Sequence, residues 1–337
     1  MLKFCVRRLL HALPTLIGVS LIAFLLIRLI PGDPVLLMLG ERGGSPEAVA
    51  EMRHNLGLDQ PLWTQYFKFI GNALHGDLGD SIVSKTAVVK EFADRFPATV
   101  ELSLVALIWA IVLGIPLGVV AALKRGRWPD HTLMSASLAG YSMPIFWWGL
   151  ILIMVFSVKL GWTPVSGRIT AEFDVEPWSG FMLIDTLRRG LGWPGFKAAM
   201  MHMILPAIVL GTIPFAAIAR MTRSSLLEVL REDYVRTAKA KGLSFYRIIF
   251  VHALKNALLP VVTVIGLMLG TLLTGAVLTE TLFSWPGVGR WLVASVLARD
   301  YPVLQGGVLL LSMMIILVNA GVDMLYMVLN PRLRDMD

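Results

Sequence analysis

The sequence predicts an all-α membrane protein with six transmembrane helices, and three observations carry that reading. Its 337 residues are 56% hydrophobic and only 16% charged, with a mean hydropathy of +0.71, whereas soluble domains carry about 25% charged residues. Six apolar stretches reach the roughly 20 residues that cross a bilayer core of about 30 Å: 9–30, 99–123, 132–158, 203–221, 258–281 and 304–329. The basic residues lie beside those stretches rather than on a soluble face. The net charge of +7 therefore reports topology and not nucleic-acid binding.

The first stretch follows a charged head, Lys3 with Arg7 and Arg8, as a secretion signal would. The apolar run nevertheless continues from Leu9 to Ile30, and it ends in Arg28-Leu29-Ile30-Pro31 rather than a small-residue cleavage site. That predicts a retained helix. Segment 31–97 is too polar to span and too long for a simple connection. Ser45-Pro46-Glu47 starts a helix there, with Val49, Met52 and Leu56 at helical spacing. A second stripe uses Leu62, Tyr66, Phe67, Ile70 and Leu74, so a small helical segment is expected outside the membrane.

The span 132–158 carries Gly140, Pro144, Phe146, Trp147 and Trp148. Proline removes a helix donor and kinks the chain, and glycine permits close backbone approach. This makes the span either a packing kink or the aromatic wall of a pathway, with Tyr141, Pro144 and Trp147 as candidate residues. Segment 159–202 holds Trp162, Pro164, Trp178, Trp193 and Pro194, which are interface anchors and loop breakers, and one amphipathic helix around 180–191.

The most informative segment follows. Lys and Arg occur eight times between Arg220 and Lys255. A short helical run from Val235 to Lys241 ends at Gly242, which supplies a left-handed cap. Ser244 is a natural N-cap for a second helix that runs through Pro260 into the membrane. Beyond the fifth span, Trp285-Pro286-Gly287-Val288-Gly289 reads as a turn with an interfacial tryptophan.

Charge density orients the chain. With the N-terminus inside, segments 1–8, 124–131, 220–255 and the tail after 330 hold sixteen Lys/Arg. The opposite side spreads thirteen over longer segments, with nine acidic residues in 31–97 alone. Lys124-Arg125-Gly126-Arg127 concentrates three charges in four residues, so both termini are expected in the cytoplasm.

Catalytic chemistry finds little support. A single cysteine, Cys5, excludes an intrachain disulfide, and six scattered histidines lack ligand spacing. There is no H-E-x-x-H, G-x-S-x-G or paired-cysteine zinc pattern, and no G-x-x-x-x-G-K-[ST] to hold ATP. No catalytic, cofactor or metal residue is therefore assigned. A membrane enzyme would need paired polar residues at mid-span. A secondary transporter would need intramembrane ion-coupling charges or an inverted repeat. The boundary charges Arg28, Glu101, Glu280 and Asp323 all lie near span ends; Glu280 is the best candidate for a pathway or gate role.

A family resemblance rests on several of these residues. Asp233 to Leu243 match D-Y-V-R-T-A-x-A-K-G-L, the coupling motif of the peptide branch of ATP-binding-cassette importer permeases. The fit to the wider motif, E-A-A-x-x-x-G-x9-I-x-L-P, is limited to Ala238, Gly242 and Leu254. Glu280 to Arg290 match E-T-x-F-x-W-P-G-x-G-R, and Pro31 to Pro34 match P-G-D-P; Gly76-Asp77-Leu78-Gly79 and Gly140 to Pro144 resemble further stretches of the branch.

The chain is thus similar, over essentially its whole length, to the peptide and nickel branch, and most to its dipeptide members. The resemblance implies a type I importer fold in the bacterial inner membrane. It divides the chain into 1–30, 31–96 as a periplasmic segment, and a permease core 97–330 with coupling loop 222–257. It implies a homologous second permease, two ATPase subunits that use ATP in place of this chain, and a periplasmic peptide-binding protein, with membrane lipid around the spans. Asp233, Tyr234, Arg236, Thr237, Ala238, Lys239, Ala240, Lys241 and Gly242 would form the ATPase-coupling hook. Glu280 and Trp285 join Tyr141, Pro144 and Trp147 as pathway or gate candidates. Dipeptides are the expected cargo, with oligopeptides, glutathione, nickel complexes or haem as alternatives.

The orientation is directly testable. A reporter active only in the periplasm should be active when fused within 45–90 and silent when fused after residue 330; the reverse pattern would overturn the assignment.

Overall fold

A computed structural model describes residues 13–25, 35, 45–55, 58–173, 175–188 and 191–329. Arg28, Pro31 to Pro34, the ends of the first span, the side chains of Met52 and Asp323, and the tail after 330 lie outside the described residues.

In an apolar solvent every backbone N–H must find its acceptor within its own segment, which leaves helices as the solution for long aliphatic runs. The described chain is accordingly helical: α1 (Leu13–Leu25), α2 (Pro46–Asn55), α3 (Leu62–Leu74), α4 (Val88–Leu123) and α5 (Trp128–Ser142). There follow α6 (Ile145–Lys159), α7 (Met182–Arg188), α8 (Gly192–Val229), α9 (Asp233–Ala240) and α10 (Phe245–Leu282). The last two are α11 (Val288–Ala298) and α12 (Tyr301–Leu329). Among the described residues, four helices are long and apolar enough to cross a membrane, namely α4, α8, α10 and α12, or five if α5 and α6 count as one span.

Two features depart from the sequence reading. The span expected over 132–158 is not one kinked helix: α5 and α6 meet at 110°. The residue before a proline is driven out of the helical region, and Met143 (ψ 132°) and Pro144 (ψ 132°) are both extended, so two successive residues turn the chain. At 1.5 Å per residue, α5 or α6 alone is only about 22 Å long, short of a bilayer core. Helix α11 was not anticipated, because its 11 residues fall below the length that marks a span.

The described residues form two compact units. One comprises those up to Phe96 together with Arg290–Leu317. Within it, α1 packs on α3: Ser20 Oγ lies 2.8 Å from the Tyr66 hydroxyl, and Phe24 meets Tyr66 edge-on at 5.3 Å. The packed face of α3 is Tyr66, Phe69, Ile70 and Ala73, while Leu62, Phe67 and Leu74 of the expected stripe are exposed. Two buried carboxylates fasten the loop before α4. Asp300 accepts from the Ser81 hydroxyl (2.5 Å) and the Ile82 N–H (3.1 Å). Glu91 accepts from the Ser84 hydroxyl and from Trp291 Nε1 (2.5 Å).

The other unit holds Pro97–Gly289 and the described residues from Val318. Its central helix is α8, with buried small residues such as Ala199, Ala207, Gly211, Ala216 and Ala219. Small residues let helix backbones close up where apolar solvent gives no drive to pack. A Cβ on Gly118 of α4 would stand 2.6 Å from the Ala219 carbonyl oxygen. Trp109 Nε1 donates to the Ala207 carbonyl at 2.6 Å. The connection between α6 and α8 folds back on α4 through Arg168, which donates to Glu101 (2.5 Å) and to the Gly180 carbonyl (2.6 Å). In that connection, burial pushes the Asp185 carboxyl up. The Ser179 hydroxyl and the N–H groups of Ser179, Trp178 and Gly180 outweigh it and hold the carboxyl below its ordinary value.

At the C-terminal end of α10, Glu280 and Trp285 are fully buried. The Thr99 hydroxyl donates to Glu280 (2.6 Å) and accepts from the Val288 N–H (2.9 Å), while Trp285 Nε1 donates to the Ala98 carbonyl (2.9 Å). A Cβ on Gly287 would fall 2.1 Å from Glu280 Oε1, a distance no real contact allows. Gly287→Ala should therefore destabilise the chain by about 1–3 kcal/mol, as overpacking does, read as a lower midpoint in thermal unfolding of the detergent-solubilised protein. Combined with Glu280→Ala the loss should be less than additive; strict additivity would show that the carboxylate is not what excludes the methyl.

Candidate functional site: a basic hook at the end of a long apolar helix

Helix α9 owes its shape to two small apolar residues. Val235 and Ala238, three apart and so on one side of the helix, are buried against Ile248 of α10, with Leu230 and Leu243 closing around them. Its polar residues, Asp233, Arg236, Thr237, Lys239 and Lys241, are consequently all exposed, as are Tyr234, Ala240 and Gly242. The helix starts on Glu232 in extended conformation with no side-chain cap.

It ends on a closed motif. Gly242 has φ +77°. The Gly242 N–H bonds the Lys239 carbonyl (2.9 Å) and the Leu243 N–H bonds the Ala238 carbonyl (3.3 Å). That is the Schellman pair, with the expected apolar contact between Leu243 and Ala238. Ser244 occupies the N-cap position of α10, but its side chain makes no capping bond. Tyr234 ties the hook to α10 by a further contact, accepting from the Asn256 amide at 2.8 Å. A wide π turn, Ile248–Ala253, separates the hook from the rest of α10.

The arrangement presents an exposed basic surface. Among the described residues no cluster of His, Cys, Asp and Glu could hold a metal. The ion pair of Arg236 with Asp233 is exposed on both sides, at 74% and 93%, so it contributes little to stability and leaves the guanidinium available to a partner.

Sequence reasoning missed two parts of this surface. Phe245 and Tyr246, which follow Ser244, are 60% and 73% exposed and stand edge to face at 6.0 Å. Aromatic residues exposed beside a charged helix are the usual anchors of interfaces, and only their position next to the hook could have singled them out. The basic run at 124–127, read above for topology alone, also reaches the hook. A cleft of about 400 Å³ at the start of α9 is lined by Arg125, Arg223, Glu228 and Arg231 beside Glu232 and Asp233. Asp130 shapes that cleft, accepting from the Gly126 N–H (2.9 Å) and from Arg223 Nη2 (2.8 Å).

The other candidates divide into two groups. Tyr141, Pro144 and Trp147 gather at the bend between α5 and α6, all exposed, and the Arg220 guanidinium lies 5.2 Å from the Tyr141 ring. Glu280 and Trp285 sit elsewhere, in the knot described above. Trp285 is completely buried rather than interfacial, and neither side chain reaches a surface in this conformation. Glu101 is satisfied by Arg168 and by the Leu183 N–H at 2.8 Å.

Comparison with known proteins adds an independent line. The family model of the binding-protein-dependent transport system inner membrane component matches residues 114–335. The model of the N-terminal part of such membrane components matches residues 1–103. The chain is 61% identical to the di/tripeptide transport system permease protein of Pseudomonas aeruginosa (strain UCBPP-PA14), and 59% identical to the dipeptide transport system permease protein of Escherichia coli (strain K12). Both alignments cover 99% of each chain. It is 43% identical to the glutathione transport system permease protein of Escherichia coli O6:H1, again over 99% of each chain.

The local geometry of Gly242 can be tested alone. Open space surrounds its Cα, so only the backbone conformation resists substitution, by about 1–2 kcal/mol for a side chain in the left-handed region. Gly242→Val should raise hydrogen exchange across Val235–Leu243 roughly tenfold, whereas Gly242→Asn, which tolerates that region, should change it little. Equal exchange in both variants would remove the cap from the explanation.

Proposed function

The chain belongs to the family of binding-protein-dependent transport system inner membrane components, and on that premise we propose that it is a permease subunit of an ATP-driven importer that carries dipeptides inward. The observation that carries this reading is the hook. A basic, exposed helix is held rigid by buried Val235 and Ala238 and closed by Gly242, on a chain whose sequence has no phosphate-binding loop. Such a surface receives work done elsewhere. ATP hydrolysis belongs in this reading to two separate ATPase subunits, and the chain itself binds no cofactor.

The finer assignments follow from the same premise. Six spans cross the membrane, with the first over 9–30 and the α5–α6 pair as one broken span. Residues 31–96 form a periplasmic segment, 97–330 the permease core, 222–257 the cytoplasmic coupling loop, and both termini lie inside. A homologous second permease completes the pathway, and a periplasmic peptide-binding protein delivers the cargo. The names of the relatives at 61% and 59% identity support dipeptides, and the glutathione permease at 43% identity marks glutathione as an alternative cargo beside longer peptides, nickel complexes or haem. In operation the ATPases close on ATP and drag the hook as one body, which turns the spans between outward and inward access.

Arg236→Glu tests the docking role. Arginine offers a planar fork for carboxylate or carbonyl acceptors that other side chains do not reproduce. The variant should insert normally, because the remaining basic residues of the loop preserve orientation. It should co-purify with less ATPase and lose peptide uptake out of proportion to hydrolysis. Unchanged association and uptake would make Arg236 an ordinary solvated residue.

A further inference from the structure

The exposed faces of the two long helices α4 and α10 differ in chemistry. Every exposed residue of α4 from Leu104 to Leu123 is apolar, including Ile108, Val112 and Leu117. On α10, the exposed positions Thr263, Leu267, Thr271, Thr274 and Leu278 fall within an arc of about 120° at 100° per residue. Three of the five are threonines. Both helices are long, apolar spans, so a common lipid environment accounts for the first face and leaves the hydroxyls of the second unexplained.

The threonine hydroxyls on that arc bond back to their own helix, as helical threonines commonly do. The Thr271 hydroxyl donates to the Met268 carbonyl (2.8 Å) and the Thr274 hydroxyl to the Gly270 carbonyl (3.3 Å). With its proton turned inward, each oxygen offers its lone pairs to whatever stands outside. No charged residue interrupts the sequence between Lys255 and Glu280. The foot of the arc is Asn256, exposed on the same side and bonded to Tyr234 of the hook. The face that carries acceptors is thus attached directly to the element on which the ATPases would act.

We infer that the Thr263–Thr271–Thr274 face of α10 is a wetted wall of the peptide pathway, whose hydroxyl oxygens accept hydrogen bonds from the N–H and ammonium groups of the passing peptide. This rests on the importer reading. A wall of neutral acceptors suits a cargo that differs in side chains but always carries backbone N–H groups. Without fixed charge, it holds neither acidic nor basic peptides long enough to stall them.

The test uses the complete importer in membrane vesicles, with Cys5→Ser removing the single native thiol. Thr263→Cys, Thr271→Cys and Thr274→Cys are compared with Ile108→Cys and Val112→Cys for reaction with a charged, membrane-impermeant methanethiosulfonate. Co-purification of the ATPase subunits confirms assembly of each. The α10 cysteines should react at least tenfold faster than the α4 cysteines and be slowed when dipeptide and ATP are supplied. Equal rates on the two helices in assembled complexes would overturn the inference, whether the face is covered by lipid or by the second subunit. The acceptor role is read separately: Thr271→Val with Thr274→Val should lower dipeptide uptake several-fold and the double serine variant should restore it, whereas equal uptake by the two would refute it. If wild-type vesicles take up no dipeptide while the labelling contrast persists, the cargo assignment fails and the wetted wall stands.

Discussion

A carboxylate with no exposed surface joins the C-terminal end of α10 to α4. Burying an ionisable group is costly unless its oxygens are satisfied, and Glu280 accepts the Thr99 hydroxyl from α4. The same hydroxyl accepts the Val288 N–H, so one threonine sets the register of α4, the end of α10 and the turn after it. Gly287 and Gly289 leave the room that the carboxylate occupies. The opposite end of α10 carries the short helix α9.

The hook obeys a complementary rule. Its shape depends on residues that face inward, Val235, Ala238 and Leu243, on the left-handed backbone of Gly242, and on the Tyr234–Asn256 bond. Its other exposed residues are therefore free to be chosen for contact. This separation explains how a segment of only eight helical residues, too short to be stable alone in water, holds a defined shape. Packing against Ile248 supplies the order that propensity cannot.

Much of this was legible in the sequence, for identifiable reasons. Spans are written in long apolar runs, and four described helices coincide with expected ones because no tertiary contact is needed to decide them. The short helix α9 and its cap were legible because the helical run expected from Val235 to Lys241 and its terminating glycine, Gly242, adjoin in sequence. What escaped depends on contacts distant in sequence. Glu280 reads as a boundary charge until Thr99, 181 residues away, is placed beside it. Trp285 reads as interfacial until its indole finds the Ala98 carbonyl. The 110° break at Pro144 exceeds an ordinary proline kink, because Met143 is extended as well. Helix α11 is too short to announce itself by length.

The wide turn at Ile248–Ala253 has a mechanical consequence. A π turn is a helix with one residue too many, in effect a dislocation in the hydrogen-bond ladder. Shifting such a dislocation by one position re-pairs only a few carbonyls, and the stretch it passes over advances by about 1.5 Å and rotates by about 100°. The short helix α9 packs on this turn through Ile248 and bridges it through the Tyr234–Asn256 bond, so a shift of the dislocation would have to carry both contacts with it. Any displacement of the turn would be a screw motion, in discrete steps set by the backbone rather than by elastic bending along the rod.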